Sequence, residues 1–208
     1  MASCCQSDCG LDPDASGQRR TLRIVLGINA VMFAVIAAAA IFSSSNSLMA
    51  DSLDNLGDAL TYGLSLYAVS KAASVKSKVA LFKGGLILIA ALVVAGSIVY
   101  KLFVPSVPGF EAMGVFSLAG LAANSACLGL LWRHRTEDVN MSSVWECSRN
   151  DIASNLSVFV AAGMVWATGA MWPDLIVAAA LVLLLMRSAI RVNISALAGL
   201  RAAEQAST

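Results

Sequence analysis

Charged residues are scarce in this chain: lysine, arginine, aspartate and glutamate make up only 13% of its 208 residues. Soluble globular proteins carry about 25% of such residues, whereas 58% of this sequence is hydrophobic. The composition therefore excludes a soluble globular class. The net charge is +1 and no basic patch stands out, so nothing supports binding to nucleic acid.

Histidine is rarer still, with His134 as its one occurrence. His134 lies among charged residues, and we interpret it as a solvated loop residue. Three of the five cysteines, Cys4, Cys5 and Cys9, lie in a polar N-terminal segment with no apolar periodicity. We expect this segment, residues 1–18, to be a flexible cytoplasmic tail with reduced thiols.

Long apolar runs dominate the rest of the sequence. Six can be marked, each roughly 18 to 25 residues long and able to cross about 30 Å of hydrocarbon. They predict an all-α polytopic membrane protein, a bundle of six transmembrane helices, over residues 19–196. A short cytoplasmic tail, 197–208, follows. The predicted spans are 24–42, 47–69, 84–104, 112–132, 144–167 and 175–195.

The basic residues indicate the orientation. Of the fourteen lysines and arginines, only Lys101 falls on the side opposite to the others, and Lys83 is assigned to the loop after the second span. The positive-inside rule then places both termini in the cytoplasm, and we expect a bacterial inner membrane. A cleaved signal peptide over 19–41 is disfavoured, because its apolar region is too long and an acidic segment precedes it.

The second span carries three carboxylates, Asp51, Asp54 and Asp58. On a helix they fall at i, i+3 and i+7 and share one face. An ionised carboxylate deep in a bilayer costs from about 3 to above 10 kcal/mol, so this stripe demands a compensating charge. It predicts a cation site or a proton path. Asp51, one turn outward, is either a relay position or a carboxylate favoured by the helix dipole.

The fifth span carries a second polar stripe, in which Cys147, Asp151 and Asn155 are spaced by four. The two spans cross in opposite directions, and a rise of about 1.5 Å per residue brings both stripes to similar depth. Each helix could then present two residues to one divalent metal ion. Carboxylates must lose protons to bind metal, so binding would couple to proton exchange. The alternative is that these groups only join helices by hydrogen bonds.

Together these features resemble the cation diffusion facilitator family of metal/proton antiporters, over about residues 20–200. The resemblance implies four metal ligands. Asp54 and Asp58 match the family's His-or-Asp-x-x-x-Asp pattern, and Cys147 and Asp151 match its His-x-x-x-Asp pattern. It further implies export of zinc and related divalent ions in exchange for protons, without a cofactor and usually by a homodimer. The Trp172-Pro173-Asp174 start of the last span also fits.

The chain departs from the family pattern in three ways, one of which is that the histidine-rich loop seen in many relatives is missing. Cys147 stands where histidine is usual, and a thiolate favours cadmium alongside zinc. Asn150 or Asn155 could ligate instead. We also expect a short member without the family's cytoplasmic C-terminal domain, which leaves homodimerisation open. The three cysteines of the N-terminal tail either capture metal ions for the pore or are incidental.

An enzymatic alternative is an intramembrane, metal-dependent phosphotransferase, in which helix carboxylates also hold metal ions. Only the spacing of Asp54 and Asp58 matches. The Asp-Gly-x-x-Ala-Arg stretch typical of that class is missing, and no basic residue is expected near the carboxylates. We therefore expect no enzyme. Asp174 is expected to be structural, favoured by the dipole at the start of its own helix.

Overall fold

Six α-helices make up nearly all of the computed structural model, which describes residues 16–68, 73–132 and 139–205. Side chains are described for 20–64, 66, 77–132 and 151–201. The helices in these parts of the chain are α1 (Ser16–Ser43), α2 (Asn46–Ala68), α3 (Ala73–Phe103), α4 (Phe110–Trp132), α5 (Val139–Thr168) and α6 (Trp172–Gln205).

Each predicted span falls on one of these helices, so the prediction of a helical membrane bundle is confirmed. Helix α3 begins at Ala73, eleven residues before the predicted start at 84. Five of the described helices are long and apolar enough to cross a membrane. The exception is α2, which carries the three carboxylates.

Helix α2 is shielded by its neighbours. It packs closely against α1 and also contacts α3, α5 and α6, while α3 pairs with α6 and α4 with α5. The largest core cluster joins α1, α2, α3, α5 and α6, and large apolar side chains on the outer faces are exposed, as lipid contact requires. The carboxylates of α2 therefore lie inside the bundle. Core residues include Ile36, Leu48, Leu53, Ile87, Val158 and Leu181.

Two glycines allow helices to approach closely. A Cβ at Gly120 of α4 would collide with the Asn155 side chain of α5. A Cβ at Gly84 of α3 would collide with the Asn193 side chain of α6. Small residues at such crossings bring transmembrane backbones together, and here they join two pairs of helices, α4 with α5 and α3 with α6.

The start of α2 is capped by a residue from another helix. The carboxylate of Asp174, in the first turn of α6, accepts hydrogen bonds from the backbone nitrogens of Asn46 and Ser47, both at 2.9 Å. It also accepts the hydroxyl hydrogens of Ser45 and Ser47, both at 2.7 Å. Asp174 thus satisfies amides that the first turn of a helix leaves unpaired. Asp174 lies in the first turn of its own helix, as predicted, and in addition caps α2.

Candidate functional site

A cavity of about 650 Å³ lies between α2, α3, α5 and α6. Its apolar wall comes mainly from α6, and most of its polar groups come from the helices facing α6. The ion-binding stripes predicted on two separate helices thus open into one space. The polar lining residues are Asp51, Asp54, Asp58, Thr61, Lys83, Asp151, Ser154, Ser157, Arg187 and Ser188.

The three carboxylates of α2 share one face, as their spacing predicts, because all three line this cavity. Asp51 is 1% exposed and Asp58 is 8% exposed, while Asp54 is only partly buried. Neither carboxylate oxygen of Asp51 has a hydrogen-bond partner among the described residues. Carboxylates so placed need a cation or a proton as partner.

Asp151 of α5 meets the α2 carboxylates across the cavity. It is 7% exposed, and its carboxyl group interacts with those of Asp54 and Asp58. Asp54 also interacts with the Ser154 side chain, one turn of α5 away. Carboxylates this close repel one another when all are ionised, so the cluster needs a cation or a proton to neutralise it. The structure therefore brings three of the four predicted ligands together in one cavity.

The fourth predicted ligand, Cys147, lies on the backbone of α5 one turn before Asp151, but its side chain is outside the described residues, as is that of Asn150. Asn155 does not line the cavity. Its amide nitrogen donates to the backbone oxygen of Asp151 at 2.9 Å, and its amide oxygen lies against Gly120 of α4.

The carboxyl groups do not form a finished metal site. Among the described side chains, no three His, Cys, Asp or Glu residues are arranged to hold a metal ion. Helices α2 and α5 also share few contacts, in contrast to the close pairs α1–α2 and α4–α5. The stripe on α5 is therefore near the stripe on α2 without being packed against it.

Lys83 is the main residue that the sequence interpretation misplaced. It lies within α3, is 8% exposed and lines the cavity, where its charge acts on Asp58. Its placement in a loop was wrong, and so was the expectation of no basic residue near the carboxylates. The sequence did indicate that Lys83 could be buried, because it lies one turn before Ile87 and two turns before Ala91, which continue the buried face of α3.

Asp58 has a further partner that the sequence interpretation passed over. The hydroxyl of Tyr62, one turn along α2, donates to Oδ2 of Asp58 at 3.1 Å. Tyr62 is buried with Cys127 of α4, whose sulfur accepts a weak hydrogen bond from the amide of Asn29 at 3.8 Å. Tyr62 thus orients Asp58 from the side away from the cavity, and its i+4 spacing was the available signal.

The comparison with known families gives one match. Residues 22–200 match the family model described as the cation efflux transmembrane domain. Among curated proteins, no match was found. The matched region contains all six helices of the described part of the chain except their outermost residues at the two termini.

Proposed function

Since the chain belongs to the cation efflux family of transmembrane cation transporters, we propose that it exports zinc, and cadmium as well, in exchange for protons. The transport site lies between α2 and α5. One observation carries this proposal: Asp151 of α5 interacts with Asp54 and Asp58 of α2, and all three line one cavity.

The proposed ligands are Asp54, Asp58 and Asp151, with Cys147 as the fourth. Cys147 precedes Asp151 by four residues on a continuous helix, so the two lie on one face of α5. Three carboxylates and a thiolate suit a four-coordinate divalent ion. The thiolate is softer than imidazole, which supports cadmium as a substrate beside zinc.

Proton exchange is supported by the crowding of carboxyl groups in one poorly solvated cavity. Protons neutralise part of such a cluster when it holds no ion, and the carboxyls must lose them to ligate a metal ion. An arriving divalent ion therefore displaces protons, and returning protons weaken the hold on the ion. Because α2 and α5 share few contacts, a closer approach of the two helices around the ion would disrupt little packing between them.

The cavity extends toward one end of the bundle. It begins at Ala50 and Asp51, beyond the capped start of α2, and reaches Val192 of α6. Val192 follows Trp172, where α6 begins, by 20 residues, or roughly 30 Å. That end carries the start of α3 and the end of α6, with most of the basic residues. We assign it to the cytoplasm of a bacterial inner membrane, so the site is open to the ion that is exported.

The test is uptake into sealed vesicles with an imposed pH gradient, using zinc, cadmium, cobalt, iron and manganese in turn. We expect zinc and cadmium to be transported by the wild-type chain and by Glu111→Gln, which alters an exposed carboxylate of α4. Asp58→Asn and Asp151→Asn should abolish transport while the protein still reaches the membrane. Full transport in either site variant would defeat the proposal.

One observation favours the phosphotransferase alternative: Lys83 supplies a positive charge that acts on Asp58. The Asp-Gly-x-x-Ala-Arg stretch is still missing from the sequence, and the matched family consists of transporters. Turnover of a nucleotide-linked lipid by the purified protein would be needed to restore this function.

A further inference from the structure

Lys83 places a positive charge inside the cavity that holds the carboxylates. Its side chain is 8% exposed, although it belongs to a helix segment that is otherwise apolar enough to span a membrane. Burying an ammonium group is costly unless an opposite charge or hydrogen bonds compensate it. The groups that compensate it include the Asp58 carboxylate, through its charge, and the Thr61 hydroxyl, to which the ammonium group donates.

Thr61 holds the ammonium group at a defined position. Its hydroxyl donates to the backbone oxygen of Gly57 at 2.7 Å, so the hydroxyl oxygen can also act as an acceptor. The ammonium group of Lys83 donates to that same oxygen. Thr61 follows Asp58 by three residues, so the ammonium group lies about one turn of α2 toward the proposed cytoplasmic end.

We propose that Lys83 is a resident counter-ion of the transport site, which balances the carboxylates while the site is empty and limits the affinity for the divalent ion once it arrives. The inference rests on the proposed metal transport. Lys83 is a positioning residue, since it acts on the ion through charge and through Asp58 rather than as a ligand.

The electrostatic argument has two parts. Without metal, the ammonium group reduces the cost of holding several carboxylates in a poorly solvated space. With a divalent ion among the carboxylates, the same group repels the ion, and in a protein interior this repulsion is screened far less than in water. A site with four anionic ligands would otherwise bind zinc tightly and release it slowly. Lys83 therefore favours release over retention.

The first measurement is equilibrium binding of cadmium and of zinc to the purified full chain. We expect Lys83→Gln to lower the dissociation constant about tenfold or more and to slow uptake into vesicles, because release becomes limiting. Lys83→Arg keeps the charge and should stay close to wild type. Lys78→Gln, which removes an exposed lysine of the same helix, is the matched control and should change neither value.

A second variant tests the same point with Lys83 kept. Thr61→Val removes the oxygen that holds the ammonium group, so the charge can move closer to Asp58 and the dissociation constant should rise several-fold. The double variant Thr61→Val, Lys83→Gln should bind as tightly as Lys83→Gln alone. If Lys83→Gln does not fold, Thr61→Val decides: unchanged affinity overturns the inference.

The two proposals can fail separately. If the wild-type chain binds neither zinc nor cadmium, the proposed function falls, and this inference with it. If the wild type binds metal but Lys83→Gln binds equally or more weakly, only the counter-ion role falls. A merely structural role for Lys83 predicts weaker binding, which is the opposite sign.

Discussion

Lys101 and Asp174 form a buried ion pair, with Nζ of Lys101 3.6 Å from Oδ2 of Asp174. The ammonium group also donates to the backbone oxygen of Ser44, the turn residue between α1 and α2, which has a φ of 54°. Asp174 in turn caps the start of α2. This ion pair thus fixes the start of α2 against α3 and α6, while the middle of α2 borders the cavity.

Asp174→Asn should destabilise the protein strongly. It leaves the Lys101 ammonium group buried without its counter-charge, and losing one partner of a buried pair costs about 3–5 kcal/mol. Thermal unfolding of the purified protein measures the loss. Glu111→Gln, at an exposed first-turn carboxylate of α4, is the matched control and should unfold like wild type. Equal unfolding of both variants would show that the cap contributes little.

Cys147→His should keep zinc transport and reduce cadmium transport relative to zinc. Imidazole is a harder ligand than a thiolate and binds zinc well, so the change removes the preference for the softer ion. The ratio of initial uptake rates for the two ions in vesicles is the measurement. Cys127→Ala, which alters a buried cysteine outside the cavity lining, should leave the ratio as it is. A ratio unchanged in Cys147→His would remove this residue from the site.

Tyr62→Phe should raise the KM for the metal ion about tenfold or more, with a smaller effect on the maximal rate. The variant removes the hydroxyl that donates to Asp58, and a hydrogen bond to a charged group contributes about 1.5–3 kcal/mol. Uptake at varied zinc concentrations separates the two parameters. Tyr100→Phe, at an exposed position of α3, serves as control. Identical kinetics in all three proteins would mean that Asp58 is oriented by other groups.

Gly120→Ala should impair both stability and transport. The added methyl group collides with Asn155 and separates α4 from α5, and such overpacking costs about 1–3 kcal/mol. Since α5 carries Asp151, its displacement should also lower the uptake rate. Gly129→Ala places the same methyl group in open space on the same helix and should be neutral. The prediction is contradicted if the two variants unfold and transport alike.

The positions of the helices and of the acidic stripes could be predicted from the sequence. Span length follows from the thickness of the hydrocarbon layer, so six apolar runs predict six helices. The shared face of Asp54 and Asp58 follows from helical periodicity alone. Because α2 and α5 cross in opposite directions, the rise per residue places Asp151 at a depth similar to that of Asp54 and Asp58. All three residues line one cavity.

The partners of the buried charges were decided by the tertiary structure. Asp174 caps a helix that begins 128 residues earlier in the chain, and Lys83 lies 22 residues from the hydroxyl that holds it. Local patterns placed Asp174 correctly in the first turn of its own helix but gave no sign of its partners in α2, and they placed Lys83 wrongly in a loop. Such patterns cover only nearby residues, whereas the cost of burying a charge depends on which groups of other helices approach it. The sequence determined where the helices and their carboxylates lie; only their packing decided which charges neutralise one another.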